Sequence, residues 1–170
     1  MSIIFVSSCE TKPTLQKYFV KNTESADFVA VDIAPSVINI DKAKLTLDEK
    51  AALASFDKMN ILAYKTDSTH IEKYDQEIKE VKLLLKNQNY QQLMKVGSGS
   101  DGAVIYFLGD ATRIDEFVVL ANKKENGFAV IRVLGNDMNA TNIVSLMSVL
   151  QKSNINIDQL KPLQELFQNK

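Results

Sequence analysis

The chain has one cysteine and one histidine in 170 residues. A single cysteine excludes an internal disulfide framework and any multi-cysteine zinc site, and a single histidine excludes a histidine cluster. An excess of either charge is also missing: Lys+Arg 20 stand against Asp+Glu 21, a formal net charge of -1. That balance argues against nucleic-acid recognition built on bulk positive charge. No stretch approaches the roughly 18 consecutive apolar residues of a membrane helix, so the body of the chain is expected to be soluble. What is present is an ordinary globular mix, 45% hydrophobic and 24% charged, which excludes whole-chain disorder. The length fits one domain of roughly 100–200 residues, and surface scaling buries roughly 70% of the unfolded area. That is enough for a core without disulfides or metals.

The first dozen residues carry an address. Ile3–Val6 are apolar, Ser7 and Ser8 are small, and Cys9 follows. Val6-Ser7-Ser8-Cys9 resembles the bacterial lipobox, in which the cysteine is lipidated and becomes the mature N-terminus. Small residues are needed there because the peptidase must seat the backbone ahead of Cys9. A complete signal has a basic segment and about 7–15 apolar residues, and both are short here. Residues 1–8 therefore read as the remnant of a lipoprotein signal peptide, with a true start upstream. Cys9 to Thr14 reads as a lipidated cysteine and polar tether, and 15–170 as a single α+β domain. The alternative is a first β-strand, Ser2–Val6, with Cys9 an inert buried thiol.

Periodicity supplies the elements. Leu15, Tyr18 and Phe19 are spaced for a short amphipathic helix, and Phe28–Ile33 for a strand stopped by Ala34-Pro35. Pro35 suits the first turn of a helix carrying Val37, Ile38 and Ile40. Thr46-x-x-Glu49 fits a capping box, opening a helix with Leu47, Ala51, Ala54 and Phe56 inward; Asn60 ends it and Ile61–Lys65 is the next strand. Thr69-x-x-Glu72 opens the longest helix, with Ile71, Tyr74, Ile78, Val81 and Leu85 on one face. Gln91–Val96, Ala103–Leu108, Glu116–Ala121 and Phe128–Leu134 are β-rich runs. Asp101-Gly102 and Asn126-Gly127 are hairpin signals, and Gly109–Thr112 is a looser turn. A helix with Ile143, Leu146, Met147 and Leu150 follows, then a last one with Leu160, Leu163, Leu166 and Phe167. The expected fold is α+β, a mainly antiparallel sheet with helices packed on one face. Phe28–Ile33 and Phe128–Val133 also echo one another, each a strand ahead of a helix.

No catalytic constellation emerges. Gly97-Ser98-Gly99-Ser100-Asp101-Gly102 matches G-x-G-x-x-G letter for letter, but strand residues follow where a dinucleotide site needs a helix, so it reads as a hairpin. His70 sits in a helix first turn with no carboxylate–nucleophile set around it. Cys9 as a thiol nucleophile would need a partner base, and lipidation would block its sulfur. Asp48-Glu49 fits a helix first turn and Asp115-Glu116 a strand start; neither has the spacing of a calcium loop. No catalytic, cofactor-binding or metal residue is expected.

Several tracts together carry a family resemblance. Leu15–Phe19, the strand Phe28–Ile33 running into Ala34-Pro35, the stretch through Leu53, Ile61–Tyr64, Asn89–Met94 and Phe128–Gly135 occur in one order. In that order the chain resembles the domain of unknown function family 4252, over most of residues 12–150. The resemblance implies export in a Gram-negative bacterium, often as a lipoprotein, and supplies no catalytic residues. The expected function is therefore a non-catalytic binding, sensing or interaction domain in the cell envelope, periplasmic or surface-facing. It would be held to membrane lipid by acylated Cys9, with palmitate-type chains, and would meet an envelope protein or a small ligand; a contiguous groove lined by Tyr106 and Phe117 would support that binding role. The alternative is an envelope enzyme of hydrolase type, with a site assembled from dispersed residues.

Overall fold

The computed structural model describes residues 12–66, 71–98 and 101–153. In chain order these form α1 (Leu15–Asn22), β1 (Phe28–Ile33), α2 (Leu47–Ser55), β2 (Phe56–Lys65), α3 (Ile71–Asn87), β3 (Gln91–Ser98), β4 (Asp101–Asp110), β5 (Arg113–Lys123), β6 (Gly127–Met138) and α4 (Ala140–Lys152). The strands make one sheet in the order β1-β2-β6-β5-β4-β3, and every neighbouring pair is antiparallel. The fold is α+β.

The helices lie on both faces of this sheet, not on one as expected. Side chains alternate across a strand, so a strand that buries both rows must be covered twice. Central β2 and β6 each carry an unbroken apolar run, Ile61–Tyr64 and Phe128–Ile131. Leu62, Tyr64, Phe128 and Val130 pack with α1 and α3. Met59, Ile61, Val133 and Met138 pack with the α2 and α4 side. Unbroken apolar runs of this kind are the signature of a strand buried on both faces.

The first face is closed by a helix cap, a hydrogen bond between helices and a cluster of rings. Thr14 caps α1 by accepting from the Lys17 N–H, and Leu15, Tyr18 and Phe19 turn inward as their spacing predicts. In α3 the buried stripe is Tyr74, Ile78, Val81, Leu84 and Leu85, while Ile71 remains about half exposed at the end of the helix. The Tyr18 hydroxyl donates to the Glu77 carboxylate at 2.8 Å, joining the two helices. Burial and that carboxylate both raise the Tyr18 pKa, so the phenol stays neutral. Phe28, Tyr64, Phe128 and Tyr74 stack beneath, with centroids 5.3 to 6.3 Å apart.

The echo between Phe28–Ile33 and Phe128–Val133 has a geometric counterpart. The two strands flank β2 in the same register: Tyr64 lies opposite both Phe28 and Phe128, and Met59 opposite both Ile33 and Val133.

The second face departs from the sequence pattern in several places. In α2 the buried residues are Glu49 and Ala52, whereas Leu47 is 83% exposed and Ala51 and Ala54 also face outward. The capping box at Thr46 forms, but Glu49 also takes partners from α4, and that contact sets which side of the helix turns in. Strand β2 begins at Phe56, not Ile61, because the helix passes directly into extended backbone there. Pro35 opens only a three-residue 3-10 turn, Pro35–Val37.

The hairpins also place their glycines differently from expectation. Asp101 and Gly102 are paired strand residues, opposite Ser98 and Gly97. A Cβ at Gly102 would collide with the Val96 carbonyl oxygen, and Gly97 has φ +86, so both glycines serve the close approach of the strand ends. Asn126-Gly127 closes the β5–β6 hairpin as expected, Lys123 pairing with Gly127. Lipobox residues Val6–Cys9, capping residue Thr69, His70 and the last helix through Leu160–Phe167 lie outside the described residues. Among the described residues, no helix is long and apolar enough to cross a membrane.

Candidate apolar binding cleft

On the second face α2 and α4 lie side by side, and the outer strands beside α4 are left open. The cleft there has a volume of about 690 Å³. Its floor is Ala103 and Ile105 of β4, with Val119 of β5 beneath; one wall is Leu93, Met94 and Val96 of β3. The facing wall is α4, through Ala140, Ile143, Val144 and Met147. Four of these side chains are large apolar groups about half exposed: Met94, Val96, Val144 and Met147. Thr141 is the lone polar side chain in the lining.

A bulge builds the β3 wall. Gln92 pairs with Tyr106 and Met94 with Ile105, so the register shifts at Leu93. In an unbroken strand Leu93 and Met94 would point to opposite faces. The extra residue brings both to the cleft side, moves Val96 there as well, and turns Lys95 to the other face, where it lines a separate polar cleft. Three apolar side chains in a four-residue run thereby share one surface.

The α4 wall is set by two clamps. Asn139 caps its N-terminus, accepting from the N–H groups of Thr141 and Asn142, while the Asn142 amide oxygen accepts from the Asn139 N–H. At the other end Glu49 Oε1 accepts from Ser148 Oγ at 2.6 Å and Lys152 Nζ at 2.5 Å. Its Oε2 accepts from the Thr46 N–H at 2.9 Å. Hydrogen bonds from Lys152 first, then from Ser148 and the Thr46 backbone, hold the Glu49 carboxyl down at about 2. With its termini fixed, α4 presents Val144 and Met147 to the cleft, away from α2. Met147 was expected on the buried stripe; Val149 occupies that stripe in its place.

A groove lined by both Tyr106 and Phe117, which would have supported binding, does not form. Their strand positions face opposite sides of the sheet: Tyr106 packs on the α1–α3 core, and Phe117 is fully buried in the other. The G-x-G-x-x-G letters join two paired strands, and β4 continues through Gly102, so no helix N-terminus is offered to a phosphate. Asp48 and Glu49 lie in the first turn of α2 as expected.

One polar centre escaped the sequence reading. Arg132 of β6 holds Glu116 of β5 through two bonds, Nε–Oε1 at 2.7 Å and Nη2–Oε2 at 3.1 Å, and both residues are buried. Gln16 of α1 accepts from the third guanidinium nitrogen, and the Phe19 ring lies over the guanidinium carbon at 5.3 Å. The Tyr90 hydroxyl bonds Glu116, and burial followed by that carboxylate raises its pKa. Every charged group here is met by another, and none opens on the apolar cleft. The centre fastens α1 to the sheet. The signal in sequence is only two ionisable residues set among apolar neighbours, Glu116 before Phe117-Val118-Val119 and Arg132 after Val130-Ile131.

The cleft can do one thing chemically: exclude water from an apolar guest. Its lining holds no acid, base, thiol or imidazole. A six-stranded antiparallel sheet covered on both faces, with an apolar cleft at its outer strands, defines an α+β domain. The chain belongs to the family described as Domain of unknown function (DUF4252), whose model matches residues 18–146. No curated protein and no solved structure matches it. The family match spans most of both cores and of the cleft lining, and ends inside α4.

Proposed function

We propose that this chain is an exported envelope domain, tethered by acylated Cys9, that binds an amphipathic helix of a partner protein in the cleft beside α4. The observation that carries the binding role is the lining: four half-exposed aliphatic or methionine side chains around an apolar floor, with no titratable group among them. Exposed apolar patches rimmed by polar surface mark interaction sites. The shape suits a helix: α4 forms one wall and strand β3 the other, and an amphipathic helix lays its apolar face into such a groove. Methionines suit such a surface because their flexible thioethers adapt to irregular partners. The tether rests on Val6-Ser7-Ser8-Cys9 and the polar residues after it. One acyl chain holds a protein only marginally, so a diacylglyceryl group, usually with a third chain on the new amino terminus, is the expected anchor.

The binding role is tested with the environment-sensitive dye 1-anilinonaphthalene-8-sulfonate. Val144→Asp in the cleft wall should weaken dye binding about tenfold, a loss of roughly 1.4 kcal/mol. Unchanged dye binding would reject the cleft as the seat. The anchor is tested by fractionating cells that express the gene with its natural upstream region. Cys9→Ser should leave the membrane fraction; a variant that stays there like the parent would reject the anchor.

A further inference from the structure

We propose that a second, smaller pocket, beside α2, binds an amphipathic anion: a short apolar body carrying one carboxylate or phosphate head. It shares no lining residue with the cleft beside α4. The pocket forms where the chain crosses from β1 to α2. Residues 34–46 make that crossing, well beyond the about two to six residues that such connections commonly use, and long connections are where binding loops are found. The crossing is packed, not loose: Pro35–Val37 and Lys42–Lys44 are 3-10 turns, and Ile38 and Leu45 are buried in the second core. The facing wall is α2, where Lys50, Leu53 and Ala54 fall at i, i+3 and i+4 and so share one side of the helix.

The pocket has a volume of about 300 Å³, at the lower end for small-molecule sites. Ile38, Leu45 and Leu53 make its floor apolar, and Ser36, Lys42 and Lys50 are its polar side chains, all three exposed. No carboxylate lines it. Asp41 is paired with Lys44 and Glu49 with Lys152, while neither Lys42 nor Lys50 has an ion-pair partner among the described residues. Two like charges around one apolar floor repel each other, so they add nothing to stability until an anion lies between them. An ammonium is a compact point charge without the planar fork of arginine, so a flat carboxylate and a tetrahedral phosphate both suit it. The floor takes the apolar body, and the lysines with the Ser36 hydroxyl take the head.

The test titrates octanoate and octyl phosphate into the full-length chain in a Cys9→Ser background, read by calorimetry and by backbone amide chemical shifts. Both probes should saturate and shift the amides of Ser36, Ile38, Leu45 and Leu53; the tighter of the two names the head group. Octanol, with the same chain and no charge, should bind about tenfold more weakly. Lys42→Gln with Lys50→Gln should weaken octanoate by a similar factor, the combined effect of two exposed ion pairs, and added salt should weaken it in the parent but not in that variant. Ala54→Phe, which fills the pocket without touching its charge, should also reduce binding, and circular dichroism checks that each variant folds. Val144→Asp should leave octanoate affinity unchanged, so this site and the cleft beside α4 stand or fall separately. Octanol binding as tightly as octanoate, or a double lysine variant that binds like the parent, would overturn the proposal. So would the absence of saturation, or shifts confined to Met94, Val144 and Met147, which would put the guest in the other cleft.

Discussion

The two faces of the sheet are built from the same strands yet finished in different ways. The α1–α3 face is aromatic and closed. Tyr18, Phe28, Tyr64, Phe128 and Tyr74 form a continuous chain of ring contacts, and the Arg132–Glu116 pair sits at its side with a partner for each guanidinium nitrogen. The α2–α4 face is mainly aliphatic, with Phe56, Phe107 and Phe117 among its Ile, Leu, Val and Met side chains, and its cover is clamped at Glu49 but stops short of β3 and β4. Rings and a bidentate ion pair demand fixed geometry, which suits a face that only has to hold together. Branched aliphatic and methionine side chains around an unfilled strip tolerate exchange of neighbours. On the proposed reading, one face is for stability and the other for contact.

That contrast can be broken in order of effect. Phe128 is 1% exposed at the centre of the ring cluster. Phe128→Ala should cost about 3–5 kcal/mol, lowering Tm by roughly 10–15 °C in a thermal melt. Next comes Arg132→Met, which leaves Glu116 charged and buried with only Tyr90 to meet it. A loss of about 3 kcal/mol is expected in urea unfolding. Adding Glu116→Leu should restore most of it, since an apolar pair of similar volume carries no desolvation penalty. If the double variant is as unstable as the single, the pair does more than fasten α1.

The third test concerns the clamp on the open face. The Glu49 carboxyl lies at about 2 when folded and near its ordinary 4.5 when unfolded. Because the folded value is the lower one, its contribution is complete above pH 4.5 and disappears as pH falls toward 2. Glu49→Gln should lower Tm by a few degrees at pH 7 and lose less than the parent between pH 4.5 and 2. Identical acid limbs for the two proteins would remove Glu49 from the account. The smallest effect on stability belongs to the cleft. Val144→Asp should change unfolding free energy by no more than about 0.5 kcal/mol, because the residue is 59% exposed. A large loss there would mean that Val144 belongs to the core.

Legibility follows the same division. The closed face was read well because its signals are local: the i, i+3, i+4 spacing of Leu15, Tyr18 and Phe19, the stripe from Tyr74 to Leu85, and the strand Phe28–Ile33. The open face was read poorly because its signals are not. Glu49 turns inward for Ser148 and Lys152, about a hundred residues away in sequence, and a capping residue gives no hint of that. The bulge at Leu93 breaks the two-residue alternation on which face assignment depends, so the cleft wall could not be assembled from pattern. Both-face coverage is written in the unbroken apolar letters of Phe128–Ile131, where a half-covered strand would alternate apolar with polar.

The strand order has a consequence for how the sheet comes together. β3 to β6 pair as successive hairpins, each closed across a short turn, whereas β2 and β6 join residues separated by more than sixty positions between Lys65 and Gly127. Closing that long loop costs more entropy than closing any hairpin, so the meander gains its ladders first and β2 zips onto a surface already made. A single seam then unites the halves, and whatever protects the free flank of β6 until β2 arrives governs whether nascent chains stick to one another.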